Sequence, residues 1–469
     1  MCSEILLSLV VLILVLYGIN LSILKVSAGA LFVVGVVIAQ LWAFYADDYL
    51  IWGTDGLLQI NSWIVISKMI IVVGSVSLLL MYRPMHQEGA PYEFKNRGAN
   101  EGSWITLILI VALSSLLLVS SVNWLSIYLA MELQTLTLFI LVAIKRDSAY
   151  STEAGLKYFV LGAVSSGLFL FGCALLYGAS GEISVQGINS VLTADVGKIL
   201  ITVSLLFKLS VTPFHMWAPD VYEGAPTITT ALLATVPKVA GFSILVQIGP
   251  VTNVVLVCAL LSIVYGSIGA LNQTRIKRLL AYSGIGHMGF MLFGVAIGSF
   301  ESIQASLIYV IVYVIMSVCS FSVILSLNLT KNLIIEVSGL SRDSPVMALT
   351  LGLIFLSIAG IPPLAGFLSK WFILLAGVSS GYYLISIMVV VSSVIAGVYY
   401  VRLVQIIYFP LGLEESSMLT LQKALEKEKQ IDFNKSVLIG LTFFIILFLI
   451  ISPNFLLQIT HDATISLYM

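Results

Sequence analysis

Six basic side chains and one acid fall where an apolar chain should carry none. Lys68, Lys157, Lys208, Lys238, Lys370 and Arg402 sit inside long apolar runs, and Glu132 is the acid lying well within such a run. An ionised group at bilayer depth costs roughly 2.5–3.5 kcal/mol on insertion scales, so a set of this size points to work done by charge. The work these types can do is proton transfer. Burial disfavours the charged form of an amine and a facing carboxylate favours it, so moving or neutralising one partner makes the other take up or release a proton. Glu132 is expected to face Lys208. Lys238 would then accept the proton through water, and Lys370 would exchange it with the far side.

Depth separates these groups from lysines whose flexible stems lift the ammonium to the interface. At about 1.5 Å per residue, Lys208 lies roughly 18 Å from one end of its apolar run and about 12 Å from the other, and Glu132 lies about 12 Å from its nearer end. Lys238 is equally central. Lys157 and Arg402 are nearer the ends of their runs, and Lys68 reads as structural. Prolines accompany the deep lysines: Pro213 follows Lys208 by five residues, Pro237 directly precedes Lys238, and Pro362 and Pro363 lie in GIPPLAGF just before Lys370. Proline removes a backbone donor and clashes with the preceding turn. Freed carbonyls are tolerated at membrane depth only inside protein or a wet cavity, so a hydrated site is expected at each break.

The elements that must hold these groups follow from composition. Of 469 residues, 59% are hydrophobic and 10% charged, against roughly a quarter charged in a soluble domain. Apolar runs appear near 5–24, 27–46, 62–82, 104–121, 124–144, 155–178, 196–216, 226–248, 251–271, 279–298, 303–327, 346–378, 381–409 and 437–459. Runs of bilayer-spanning length are helices, since barrel strands are shorter. The expected fold is an all-α polytopic membrane protein of about 14 transmembrane helices, read as a single integral membrane domain over 1–469. It divides into three leading spans (1–103), a first repeat (104–250), a second repeat (251–410), and a surface helix with the last span (411–469).

Fifteen Lys and Arg fall in connectors on one side and only Lys198 on the other, a strong positive-inside bias that fits an even span count. Asp55-Gly56 is a plausible hairpin turn, and residues 414–430 read as a charged helix at the surface. Spans 4–8 and 9–13 have corresponding features, with Lys208 and Lys370 each on the fourth helix of its set. Five being odd, the two repeats are inverted, with helices 7 and 12 the proline-broken members. His287 then corresponds to Glu132 and is a possible relay. The net charge of −1 gives no reason to expect nucleic acid. Cys2, Cys173, Cys258 and Cys319 are scattered, without metal or disulfide spacing, and no nucleotide, haem, flavin or iron–sulfur motif appears, so neither a metal site nor a catalytic redox site is expected in this chain.

Four segments carry a family likeness: EAGLKYFVLGAVSSGLFLFGCALLYG (153–178), FKLSVTPFHMWAPDVYEGAPT (207–227), QTRIKRLLAYSGIGHMGF (273–290) and AGIPPLAGFLSKWFILLAG (359–377). They closely resemble the chain 2 type of the antiporter-like membrane subunits of NADH:ubiquinone oxidoreductase, respiratory complex I, and the likeness covers nearly the whole chain. The resemblance implies a fourteen-helix subunit of the membrane arm that pumps protons, beside neighbouring antiporter-like subunits and lipid, while flavin, iron–sulfur clusters and quinone reside in other subunits. It implies proton-translocating roles for Glu132, Lys157, Lys208, Lys238 and Lys370; lysine at position 370 fits the chain 2 type. One departure is Gly286, where the family more often has a serine before the histidine. The long form and the ending THDATISLY resemble mitochondrial versions, implying the inner membrane with basic loops toward the matrix; a bacterial plasma membrane is the alternative. An Mrp-type cation/proton antiporter subunit and a purely structural membrane-arm subunit are the competing readings.

Overall fold

The computed structural model describes residues 4, 7–12, 35, 58–82, 98–185, 195–327, 329, 332–409 and 433–468. The expected spans at 5–24 and 27–46 fall almost wholly outside the described residues, as do the Asp55-Gly56 turn and the helix at 414–430. What is described is helical, with isolated bridges at Leu58–Ser121, Asn123–Ser184 and Arg275–Leu333. Nine spans among the described residues are long and apolar enough to cross a membrane. The chain falls into two compact units, Met1–Val257 with Gln458–Met469, and Cys258–Leu457.

In the first unit α1 (Ser62–Met81), α2 (Gly98–Ser120), α3 (Trp124–Val142) and α4 (Ala149–Ser180) are uninterrupted. Next come two interrupted spans: α5 (Asp195–Lys208) with α6 (Trp217–Gly224), and α7 (Thr227–Ala234) with α8 (Val236–Ile248). α4 begins six residues before the apolar run, because polar 149–154 still forms helix. α4 and α5 meet at Gly172, where a Cβ would lie 2.8 Å from Ile201 and 3.0 Å from the Gly197 carbonyl; small residues let membrane helices approach this closely. Along α3, Leu125, Leu129, Leu133, Leu136 and Ile140 form an exposed apolar stripe, the pattern of a lipid-facing surface. Serine and threonine hydroxyls are mostly satisfied within their own helices, as where Ser114 donates to Val111 O and Thr137 to Leu133 O.

The second unit contains most of α9 (Thr252–Ala270), then α10 (Ile276–Ile297) and α11 (Phe300–Ser326). α12 (Pro345–Ala359) and α13 (Ala365–Ser379) form its interrupted span, followed by α14 (Tyr383–Tyr408) and α15 (Phe433–Ile451). Lys277 and Arg278 lie in the first turn of α10, and Lys435 in that of α15, rather than in connectors. Lys277 and Lys435 are buried there. The run at 437–459 is not one helix: it ends at Ser452-Pro453, and α16 (Asn454–Tyr468) follows. The end of α16 belongs to the first unit, where the Trp63 backbone N–H donates to Ser466 Oγ at 3.0 Å. The Trp63 indole in turn donates to Ser243 Oγ at 2.9 Å.

Candidate functional site

Lys208 is the last residue of α5. The chain leaves the helix through Leu209 and Ser210, the latter in a left-handed conformation (φ 58°), then passes Pro213 before α6 begins. The Phe207 carbonyl at this end accepts from the Ser210 N–H and from the Trp217 indole, both at 3.0 Å. Part of the Lys208 stem reaches the surface, but its Nζ is buried and has no hydrogen-bond partner. Ser210 Oγ and Thr212 Oγ1 in the same break, and one carboxylate oxygen of Glu132, are likewise buried and unpaired. Glu132 stands at the middle of α3, within electrostatic reach of Lys208 but not in contact with it. The expected pairing of these two groups is therefore a through-space coupling. Four polar atoms buried without partners carry a cost of about 1–3 kcal/mol each, more for the charged ones, and a packed membrane protein does not collect them idly.

Lys238 is the third residue of α8 and 4% exposed. The interruption falls at Thr235, two residues before Pro237, because the proline has no N–H to donate and its ring crowds the preceding turn. The Lys238 ammonium lies over the Tyr222 ring, 5.7 Å from its centre, a cation–π position. Lys157 is placed differently. It is 40% exposed on α4 and paired with Glu153 at 2.8 Å and Asp220 at 3.0 Å. Asp220 was not singled out by sequence reasoning, although it follows the Pro213 break in the same motif.

In the second unit α12 stops at Ala359 and Gly360 turns the chain with φ 86°; Pro362 and Pro363 follow before α13 starts at Ala365. Lys370, 7% exposed on α13, reaches back to donate to Ala359 O at 2.7 Å and Ile358 O at 3.2 Å. Its ammonium thus caps the carbonyl end of a half-helix, where the helix dipole favours a cation. It also lies 5.4 Å from the centre of the Phe290 ring. His287 on α10 is 5% exposed and its Nδ1 is 2.7 Å from the Tyr309 hydroxyl.

Two basic residues stand outside this set. Lys68 is buried in an ion pair with Glu4, so Glu132 is not the one deeply placed acid; Glu4 escaped notice because it precedes the first apolar run by a single residue. Arg402 is exposed, with its guanidinium 3.5 Å from Leu271 O. Among the described residues no group of three or more His, Cys, Asp or Glu could hold a metal.

Residues 121–396 match the family described as NADH:quinone oxidoreductase/Mrp antiporter, TM. The NADH-ubiquinone oxidoreductase chain 2 of Metridium senile is 62% identical over 375 residues, which cover 77% of this chain and 97% of that one. A chain in the structure of respiratory complex I from Thermus thermophilus with bound aureothin superposes with a TM-score of 0.82 at 25% identity, covering 97% of this chain and 98% of that one. A chain of the Mrp complex from Dietzia sp. DQ12-45-1b shares the fold, with a TM-score of 0.83 at 16% identity and coverage of 100% and 97%.

Proposed function

Because the chain belongs to the NADH-ubiquinone oxidoreductase chain 2 family, within the wider NADH:quinone oxidoreductase/Mrp antiporter group, we propose that it carries protons across the membrane along Glu132, Lys157, Lys208, Lys238 and Lys370. The chain is a multi-pass, antiporter-like subunit of NADH:ubiquinone oxidoreductase in the mitochondrial inner membrane. Its basic connectors face the matrix. Residues 104–250 and 251–410 form inverted repeats, with Lys208 and Lys370 each on the broken fourth helix of its repeat. Electron transfer proceeds in other subunits, which hold the flavin, the iron–sulfur clusters and the quinone. Neighbouring antiporter-like subunits flank the chain in the membrane arm.

The observation that carries this reading is the buried, unpaired ammonium of Lys208 at a helix break, within the field of Glu132. An interaction of about 1.4 kcal/mol between two such groups changes a protonation ratio about 10-fold, so even a modest through-space coupling matters. A neighbouring subunit that neutralises or displaces Glu132 therefore releases the Lys208 proton into the break. Lys238 accepts that proton. Lys370, held by two carbonyls, stores a proton until its seat is disturbed. Lys157, paired at the surface, sets the potential at the mouth of the break through Asp220.

The test is NADH-driven proton uptake in membranes carrying Lys208→Ala or Glu132→Gln. Uptake per NADH oxidised is expected to fall while the complex still assembles. Unchanged uptake in an assembled complex overturns the assignment.

A further inference from the structure

The second unit buries more protonatable groups than the lysine row uses. Ser283 and His287 stand one turn apart on α10, and Tyr309 and Tyr313 one turn apart on α11. Tyr399 and Tyr400 on α14 complete the cluster. The four phenols are 0–7% exposed, and Ser283 and His287 are 6% and 5% exposed. Tyr309 Oη is 2.7 Å from His287 Nδ1, and the His287 and Tyr313 rings are 5.5 Å apart. The Tyr399 and Tyr400 rings are 4.5 Å apart. The Tyr400 hydroxyl makes no well-formed hydrogen bond, yet it sits beside Ser283 Oγ and the Tyr399 hydroxyl, and Tyr309 and Tyr313 lie within its field. Phenols packed only for bulk would be better served by phenylalanine, because each buried hydroxyl needs partners.

The cluster leads somewhere at both ends. Toward the end of α14, Arg402 lies one turn beyond Tyr399 and lines a cavity of about 330 Å³ with Gln273, Thr274 and Gln405, room for about ten waters at some 30 Å³ each. That cavity is at the end of the helices where α10 begins, beside Arg275, Lys277 and Arg278. At the other end, the Phe290 ring lies against Tyr309, with centroids 5.8 Å apart, and under the Lys370 ammonium.

The geometry points to a phenol–imidazole relay, Tyr400 and Tyr399 to Tyr313 and Tyr309 to His287, that passes protons between the basic-face cavity and Lys370. It rests on the reading that Lys370 exchanges protons, and it assigns the face with which that lysine communicates. Each hydroxyl accepts one proton on oxygen and gives up its own, so every phenol ends neutral. Tyr309 passes its proton to Nδ1 of His287, the imidazole releases one from Nε2, and a water molecule carries it past the edge of Phe290 to the neutral amine of Lys370. No electrons move.

The experiment compares Tyr309→Phe, Tyr400→Phe and Lys370→Ala in the assembled complex in its own membrane. Two quantities are read: proton uptake per NADH oxidised, and the ratio of uptake rates in H2O and D2O. Removing the Tyr309 hydroxyl leaves the ring stack in place, and uptake is expected to fall to the Lys370→Ala level with a changed isotope ratio. A double Tyr309→Phe/Lys370→Ala variant is expected to fall no further. Loss with Lys370→Ala but full uptake and an unchanged isotope ratio in both phenylalanine variants overturns the relay and leaves the lysine row standing. Full uptake with Lys370→Ala instead removes Lys370 from the pathway and the relay with it. Should Tyr309→Phe not assemble, His287→Gln, which retains a hydrogen-bonding side chain but cannot carry a proton, decides by the same two readings.

Discussion

Replacing Gly360 by alanine puts the seat of Lys370 to the test. A Cβ on Gly360 would lie 2.8 Å from Lys370 Cδ, 3.2 Å from Cε and 3.0 Å from Nζ, so the lysine must move. Moving it lengthens the bonds to Ala359 O at 2.7 Å and Ile358 O at 3.2 Å. A hydrogen bond to a charged group contributes about 1.5–3 kcal/mol, and losing one of the two would reduce the seated population about 10- to 150-fold. Separately, φ of 86° at this position costs an alanine about 1–2 kcal/mol whatever its neighbours. The two contributions separate in a double-mutant cycle. In a Lys370→Ala background only the backbone part of the Gly360→Ala effect survives, so the coupling between the two sites is expected to be about 1.5–3 kcal/mol. The assay is proton uptake per NADH oxidised, together with the thermal stability of the detergent-solubilised complex, for both single variants and the double. Gly360→Ala should lower uptake toward the Lys370→Ala level, and the double variant should be no worse than Lys370→Ala in uptake. Strictly additive losses, or a Gly360→Ala complex that pumps normally, would refute the claim that this glycine exists to admit the lysine.

Three further outcomes are expected. Lys68→Ala takes one cation from the buried Glu4 carboxylate, which keeps its other partners, so the loss should stay below the roughly 3–5 kcal/mol of a fully broken buried pair and appear as less assembled complex on native gels; Glu4→Gln combined with Lys68→Met should restore most of it. Trp217→Phe removes the indole donor to Phe207 O, which retains the Ser210 N–H, so stability should fall by only about 1 kcal/mol as read by thermal unfolding of the complex. Lys157→Ala breaks a solvent-screened pair and should change stability by less than about 1 kcal/mol, so any fall in proton uptake would report its charge and not a damaged fold.

Much of this was legible from residue order. A bilayer tolerates few alternatives, so among the described residues the apolar runs became helices nearly where expected, that at 437–459 excepted, and prolines beside deep lysines marked the interruptions at Lys208 and Lys370. The details that escaped depend on contacts distant in the chain. Nothing local to Lys157 says that Asp220, 63 residues on, closes an ion pair with it. The break near Lys238 sits at Thr235 because a proline damages the turn before itself, a displacement that a residue pattern alone leaves ambiguous by a few positions. The tyrosines escaped for another reason: a phenol in an apolar run reads as bulk until neighbouring helices place hydroxyl beside hydroxyl. His287 was visible as a lone imidazole, but its partner Tyr309 lies one helix later.

The hydrogen bond from Trp63 to Ser466 also bears on biosynthesis. Translation makes Trp63 some four hundred residues before Ser466, so this backbone donor of the first unit waits for its partner until that much more chain has been made. A product interrupted just before Ser466 would carry every buried lysine named above and lack this brace. Such a product would expose the Trp63 edge to proteases that survey newly inserted membrane chains.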